Sequence, residues 1–159
     1  MVSDTFKVPD TGARLAVVPL RRDAKIDLLR KVPLFERVPR KELARVAALA
    51  VEVSYPQGVA LLQEGSRDDG FFILLQGEVD VRHGAKLLQT LRRGQFFGEI
   101  ALLADVPRTA TVTTGTPVEA LVISRTDFRR LLGDSPTLAL RVLDELAYRL
   151  GSTALAGPA

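Results

Sequence analysis

One stretch of the chain, "GQFFGEIALLADVPRTATV" from Gly94 to Val112, carries two charged residues that an ordinary core segment would not need: Glu99 and, nine residues on, Arg108. Gly98 precedes the first and Pro107 the second, and Asp105 between them reads as a plain loop residue. The segment from Gly98 to Leu103 can make one short helical turn. A helix start leaves backbone N–H groups unpaired and carries a partial positive charge, which suits an anion. A glycine there lets a ligand come close to the backbone. The planar guanidinium of Arg108 matches the oxygens of a phosphate. Glu99 would repel a phosphate it faced, but would accept a hydrogen bond from a hydroxyl beside it, such as a ribose 2′-OH. Together these parts describe a sugar-phosphate cradle. The same spacing also suits a structural ion pair between Glu99 and Arg108 that braces a loop, and at this point both readings stand.

The rest of the chain offers little other chemistry. Cysteine is absent, which excludes disulfides and thiolate metal sites. The one histidine, His83, sits with Gly84 between "VDVR" and "AKLLQ", where a tight hairpin needs turn residues. No activated nucleophile and no metal-ligand cluster is visible, so neither catalytic residues nor a metal nor a cofactor is expected, and the chain reads as no enzyme. A phosphodiesterase would need metal ligands that a single histidine does not provide. The net charge of +3 rests on 22 basic and 19 acidic residues. The basic ones are scattered, as at Arg21–Arg22, Arg92–Arg93 and Arg129–Arg130, which describes solvated faces better than a nucleic-acid patch. The apolar run Leu15 to Leu20 is too short for a signal-peptide core or a membrane span, so a cytoplasmic location is expected.

The elements that would hold the segment follow from texture. Residues 1–24 read as a loose arm, 25–150 as one domain and 151–159 as a flexible tail. A short helix is expected from Ala24, with Ile26, Leu28 and Leu29 apolar. After Pro33 and Pro39, a second carries Leu43, Val46, Ala47 and Ala50 at helical spacing. From about Val51 to Ile123, short apolar runs ("FFILL", "VDV", "KLLQTL", "TATVTT", "VEALVI") are cut by Gly58, Gly65, Gly77, Gly84, Gly94 and Pro117. This spacing suggests an antiparallel barrel or sandwich. Ser124 or Thr126 can cap "DFRRLL", which Gly133 would stop. Ser135 then offers an N-cap, with Pro136 first in a last helix to about Leu150. Ala139, Leu143, Leu146 and Leu150 share one face of that helix, a seam that would either pair two such helices in a homodimer or pack on the β unit.

The opening segment closely resembles the phosphate-binding cassette of cyclic nucleotide-binding domains, whose pattern is roughly F-G-E-[LI]-A-L, then P-R-[TSA]-A-T-V; here it reads "FGEIALL-ADV-PRTATV". "LFERVPRKEL" resembles the family's N-terminal helices, and "YPQGVALLQEGSRDDGFFILLQGEVDV" its first β-roll strands, with Gly58, Gly65, Asp69 and Gly77 in the expected places. The likeness spans about Ile26 to Leu150. It implies a mainly β fold with flanking helices: an antiparallel eight-stranded, jelly-roll-like β-roll with N-terminal helices, a short cassette helix and two C-terminal helices.

For the site, the resemblance implies that Glu99 binds the ribose 2′-OH. The backbone amides of Ile100 and Ala101, with Gly98 making room, hold the cyclic phosphate, and Arg108 pairs with its charge. Thr109 lies beside the base and Ala110 gives a backbone contact. An apolar or aromatic residue of the last helix closes over the base. Tyr148 is the only aromatic after Phe128, which makes it the candidate lid, with Leu146 and Leu150 as neighbours that could serve instead. The expected function is a non-catalytic receptor for cAMP, favoured over cGMP, that signals to a protein effector through the lid helix. A domain of the same fold that has lost its ligand and serves as an interaction scaffold is the alternative. Composition rich in Arg, Ala, Leu and Val suggests a bacterial source. The nine residues after Leu150 are too few for a DNA-recognition helix and its support, and no membrane partner is expected.

Overall fold

The structure is a computed structural model that describes residues 21–67 and 70–155, apart from the side chains of 100–102 and 152–155. Most of the expected N-terminal arm, Asp69 and the last four residues of the expected tail lie outside the described residues. Helix α1 (Arg22–Arg30), a 3-10 turn (Pro33–Phe35) and α2 (Arg40–Leu49) lead into eight strands. These are β1 (Val51–Tyr55), β2 (Ala60–Leu62), β3 (Gly70–Gln76), β4 (Val79–His83), β5 (Lys86–Leu91), β6 (Phe96–Phe97), β7 (Thr111–Thr114) and β8 (Val118–Ser124). The short α3 (Glu99–Ala104) lies between β6 and β7, and α4 (Arg125–Asp134) and α5 (Pro136–Leu155) close the order.

The strands form two four-stranded sheets, β1-β8-β3-β6 and β2-β7-β4-β5, with antiparallel neighbours throughout. The eight-stranded antiparallel expectation holds. The barrel does not close, because each sheet keeps its own pair of edges.

The uninterrupted apolar run "FFILL" makes sense in this arrangement, since successive strand residues face opposite sides. Phe72 and Leu74 join the core between the sheets, with Val53, Tyr55, Phe97, Val112 and Val122. Phe71 and Ile73 face the other way, into a second core shared with α1, α2, α4 and α5. Phe71 stacks on Phe128 of α4 at 4.2 Å, while Phe72 stacks on Phe97 at 4.8 Å. β8 divides in the same way: Leu121 and Ile123 face the helices, Ala120 and Val122 the other sheet. The central pair β3/β8 is thus buried on both faces, and its alternation is between two cores instead of core and solvent.

Several local signals act as read. His83 and Lys86 pair as the last residues of a hairpin whose loop is Gly84–Ala85. Gly77 has φ +91°, and a Cβ there would overlap the Pro117 carbonyl oxygen, so only glycine fits that turn. Ser124 Oγ accepts from the Asp127 amide at 3.2 Å and Ser135 Oγ from the Leu138 amide at 3.2 Å, capping α4 and α5. Lys25 donates to the Ala47 and Ala50 carbonyls at the end of α2 and pairs with Glu52 at 3.1 Å.

Three boundaries differ from expectation. α1 begins at Arg22, two residues before Ala24, and α4 runs through Gly133 to Asp134. α5 continues through Gly151 to Leu155, where a tail was expected. A single glycine costs a helix only about 1 kcal/mol, which does not stop one anchored upstream. α5 buries Leu138 and Val142, with Leu146 partly buried against the same core. The expected seam therefore straddles the edge of the buried face: Leu146 packs inward while Leu143 and Leu150 are exposed. Among the described residues no helix is long and apolar enough to cross a membrane.

Candidate functional site

Gly98, between β6 and α3, has φ +96°, which L side chains rarely adopt. A Cβ there would stand 2.6 Å from the Gly70 carbonyl oxygen and 3.2 Å from Arg108 Nη1. The glycine thus lets the cassette start against the first residue of β3. Glu99, Ile100 and Ala101 follow as the first residues of α3, so their N–H groups have no acceptor within the helix. Asp105 ends this helix at φ 52° and pairs with Arg125 at 2.8 Å. It is therefore a terminator held by α4 and not the plain loop residue expected.

Arg108 is only 3% exposed. Its Nη1 donates to the Gly98 carbonyl and its Nη2 to the Gly70 carbonyl, each at 2.7 Å. Its backbone is tied as well: its N–H donates to Ser66 O and its carbonyl accepts from Gly65 N–H, both at 2.8 Å. The guanidinium has five N–H donors in a planar fork, and its positive charge also favours the ionised form of Glu99.

Glu99 is 4% exposed. Its Oε1 pairs with Arg149 of α5 at 3.1 Å, and its Oε2 is buried with no hydrogen-bond partner. Arg149 also donates to the Phe96 carbonyl at 2.7 Å and to Glu145 at 3.2 Å, and its guanidinium lies 4.4 Å over the Phe96 ring. A side chain from the far end of the chain thereby reaches the carboxylate expected to bind ligand. The sequence reading missed Arg149, because nothing local marks a contact between residues 50 positions apart.

Tyr148 does not take the place expected of it. It is 71% exposed and lines a different cleft, beside Pro33, Arg93 and Arg141. The reason is helical phase. Glu145 and Arg149, four apart, face the cassette together, and one residue is a rotation of about 100° on a helix of 3.6 residues per turn.

Gly98, Glu99, Arg108, Thr109 and Ala110 line one cleft with Arg149, Gln89, Phe97 and the apolar Leu62, Val81, Leu91 and Val112. The space it encloses is ≈ 100 Å³, below the roughly 300–1,000 Å³ usual for small-ligand sites.

Burial pushes the Glu99 carboxyl above its ordinary range, with the Arg149 charge the main opposing influence. A carboxyl whose folded pKa is raised favours folding when protonated. That contribution is present below the unfolded value of about 4.3 and is lost as pH rises through the folded one. Glu99→Gln should therefore melt above the parent protein at neutral pH, with the gap closing as pH falls through the raised folded value toward about 4.3. Thermal melts across a pH series check this; a variant melting lower at neutral pH would show that the Arg149 pair outweighs the burial.

Comparison with known proteins bears on this geometry. Relative to the cAMP-dependent protein kinase regulatory subunit of Eremothecium gossypii, the chain is 35% identical over 108 residues, 67% of this chain and 24% of that protein. Relative to the cGMP-dependent protein kinase egl-4 of Caenorhabditis briggsae, it is 34% identical over 125 residues, 74% of this chain and 17% of that one. It spans a quarter or less of these relatives. Both are eukaryotic, so the bacterial source suggested by composition finds no support in them. Among solved structures, the one described as "cAMP bound PfPKA-R (141-441)" superposes with a TM-score of 0.74 at 29% identity, covering 86% of this chain and 48% of that one. Residues 52–135, from β1 to the start of α5, match the family described as "Cyclic nucleotide-binding domain", and the chain belongs to that family.

Proposed function

We propose that this cleft binds a 3′,5′-cyclic nucleotide, cAMP in preference to cGMP, and that α5 carries its occupancy to a protein partner. The observation that carries the reading is the Glu99 Oε2 atom, buried in the cleft beside Arg108 and without a hydrogen-bond partner. A buried charged acceptor left unpaired is costly, and a ligand hydroxyl relieves the cost. The ribose 2′-hydroxyl donates to it. The amides of Ile100 and Ala101 receive the cyclic phosphate, Gly98 admits it and Arg108 balances its charge. Thr109 and Ala110 border the remaining space together with Leu62, Val81 and Leu91, where the base lies. No step in this reading breaks or forms a covalent bond; the function is recognition.

The preference for cAMP is supported by the cAMP-named relatives, although a cGMP-dependent kinase matches almost as well. The route to a partner is supported by Arg149: one helix contacts the carboxylate that would hold the ribose, so ligand and helix position share an acceptor group. A ligand can shift α5 only as far as it binds its two positions differently.

Calorimetric titration of the parent chain and of Glu99→Gln with cAMP, cGMP and 2′-deoxy-cAMP tests the reading. The parent is expected to bind cAMP more tightly than cGMP. Glu99→Gln is expected to weaken cAMP by roughly 10-fold or more, the difference between a charged and a neutral acceptor, and to leave 2′-deoxy-cAMP largely unchanged. Equal weakening of both ligands would assign Glu99 to bracing the loop, and absence of binding by the parent chain would favour the scaffold reading.

A further inference from the structure

A second cleft lies on another side of α5, lined by Pro33 of the 3-10 turn, Arg93 and Gly94 ahead of β6, and Arg141, Asp144 and Tyr148 of α5. We propose that it is a docking site for a partner-protein segment that presents one acidic residue between apolar neighbours. The inference does not depend on nucleotide binding.

Its charge is the first support. Arg141 donates from Nη2 to the Pro33 carbonyl at 2.7 Å, but its Nε is buried and has no hydrogen-bond partner. Arg93 is exposed, and among the described residues neither arginine pairs with a carboxylate. A planar cation with an orphaned donor is best satisfied by a carboxylate, which accepts charge-assisted hydrogen bonds. Glu145, also on the cleft, is engaged by Arg149. Asp144 is the free carboxylate at the rim, and it disfavours a polyacidic occupant.

Shape and surroundings supply the second support. Arg141 and Tyr148 are seven residues apart on α5, roughly 10 Å along its axis, which is the reach of about three extended residues. Beside them the helix presents Leu140, Leu143 and Leu150, exposed by 61%, 59% and 73%. Ala147 lies among them, and Tyr148 stands at the border between leucines and cleft. A free anion would satisfy the arginines and leave this apolar face in water. A segment with one carboxylate and flanking apolar side chains covers both. Tyrosine and arginine beside an apolar patch are also the residue types that concentrate binding energy at protein interfaces.

The test is NMR titration of the 15N-labelled chain with the peptide acetyl-Leu-Glu-Ile-Phe-amide and with its Gln-for-Glu counterpart. Shifts are expected at Arg93, Arg141 and Tyr148, with the glutamine peptide binding about 10-fold more weakly, as one charge-assisted hydrogen bond implies. Arg141→Gln and Arg93→Gln should each bring the glutamate peptide down to the level of the glutamine one. Asp144→Asn should strengthen it several-fold, and each variant's spectrum reports whether it has folded. The proposal fails if the two peptides bind alike, if neither binds at millimolar concentration, or if the shifts fall on Glu99 to Ala110. It fails also if inorganic phosphate produces the same shifts at the same concentration, which would make the cleft a small-anion site. Sedimentation that shows a dimer dissociated by Leu143→Glu, with peptide binding absent until then, would give the face to a second copy of the chain and overturn the proposal.

Discussion

Arg108→Leu is expected to lose cyclic-nucleotide binding by about 10²–10⁴-fold, the range that follows from removing one partner of a desolvated charge pair at roughly 3–5 kcal/mol. The structure adds a second consequence. The same guanidinium holds the carbonyls of Gly70 and Gly98, which join the start of β3 to the start of the cassette. Leucine leaves both acceptors without that donor, at about 1–3 kcal/mol for each that stays dry. A fall in melting temperature of several degrees, roughly 2–4 °C for each kcal/mol lost in a chain of this size, should accompany the loss of binding. Arg108→Lys separates the two effects. It keeps the charge, but one ammonium at the end of a flexible stem does not reproduce the planar fork, so binding should fall less steeply than stability. Calorimetry and thermal melts on both variants give the comparison. If Arg108→Leu melted with the parent and bound as tightly, neither the phosphate role nor the brace would stand.

Gly98→Ala is expected to be nearly as damaging, although it adds a single methyl group. The backbone at φ +96° disfavours any Cβ, and the new carbon would stand 2.6 Å from the Gly70 carbonyl oxygen. Relief requires moving the cassette away from β3, which also disturbs the Arg108 bond to Gly98. Strain of this kind costs about 1–3 kcal/mol before the clash is counted, so a total near 3 kcal/mol with at least 10-fold weaker nucleotide binding is the expected result. Gly133→Ala is the control. Gly133 lies in α4 with nothing within 4 Å of an added Cβ, and the change should be neutral or stabilising by up to about 1 kcal/mol. Denaturant unfolding of the two variants gives the difference; equal midpoints would remove the steric argument for Gly98.

Both variants lie in the part of the molecule that its sequence describes best. The cassette is contiguous, and glycine, glutamate and arginine there are needed for local reasons: a backbone turn, a carboxylate and a cation. The caps at Ser124 and Ser135 and the Gly84 hairpin were legible for the same reason, since each bond spans a few residues. "FFILL" announced a strand but not its two cores, because an uninterrupted apolar run does not show which layers flank it. Arg149 was hidden by distance. It lies on a helix whose phase relative to the cassette is set by how Leu138 and Val142 pack, whereas Tyr148 was singled out only as the one aromatic after Phe128. Asp105 was hidden differently: a left-handed aspartate leaves no mark in sequence until its Arg125 partner is seen across the fold. The end of α5 was misplaced because glycine and a run of small residues resemble a tail when the upstream anchoring is unknown.

The order of the first sheet has a consequence for how the chain reaches this state. β1 and β8 are hydrogen-bonded neighbours from Val51↔Val122 to Tyr55↔Val118, so everything between them, cassette included, is a loop closed by their pairing. Closing a long loop costs entropy before its contacts repay it, and folds dominated by such distant pairings form slowly for their size. The Arg108 bond to the Gly70 carbonyl spans 38 positions and the Arg149 bond to the Glu99 carboxylate 50, so the walls of the cleft are joined by distant contacts of the same kind. The cleft is therefore a property of the assembled scaffold, and no short stretch of the chain can form it alone.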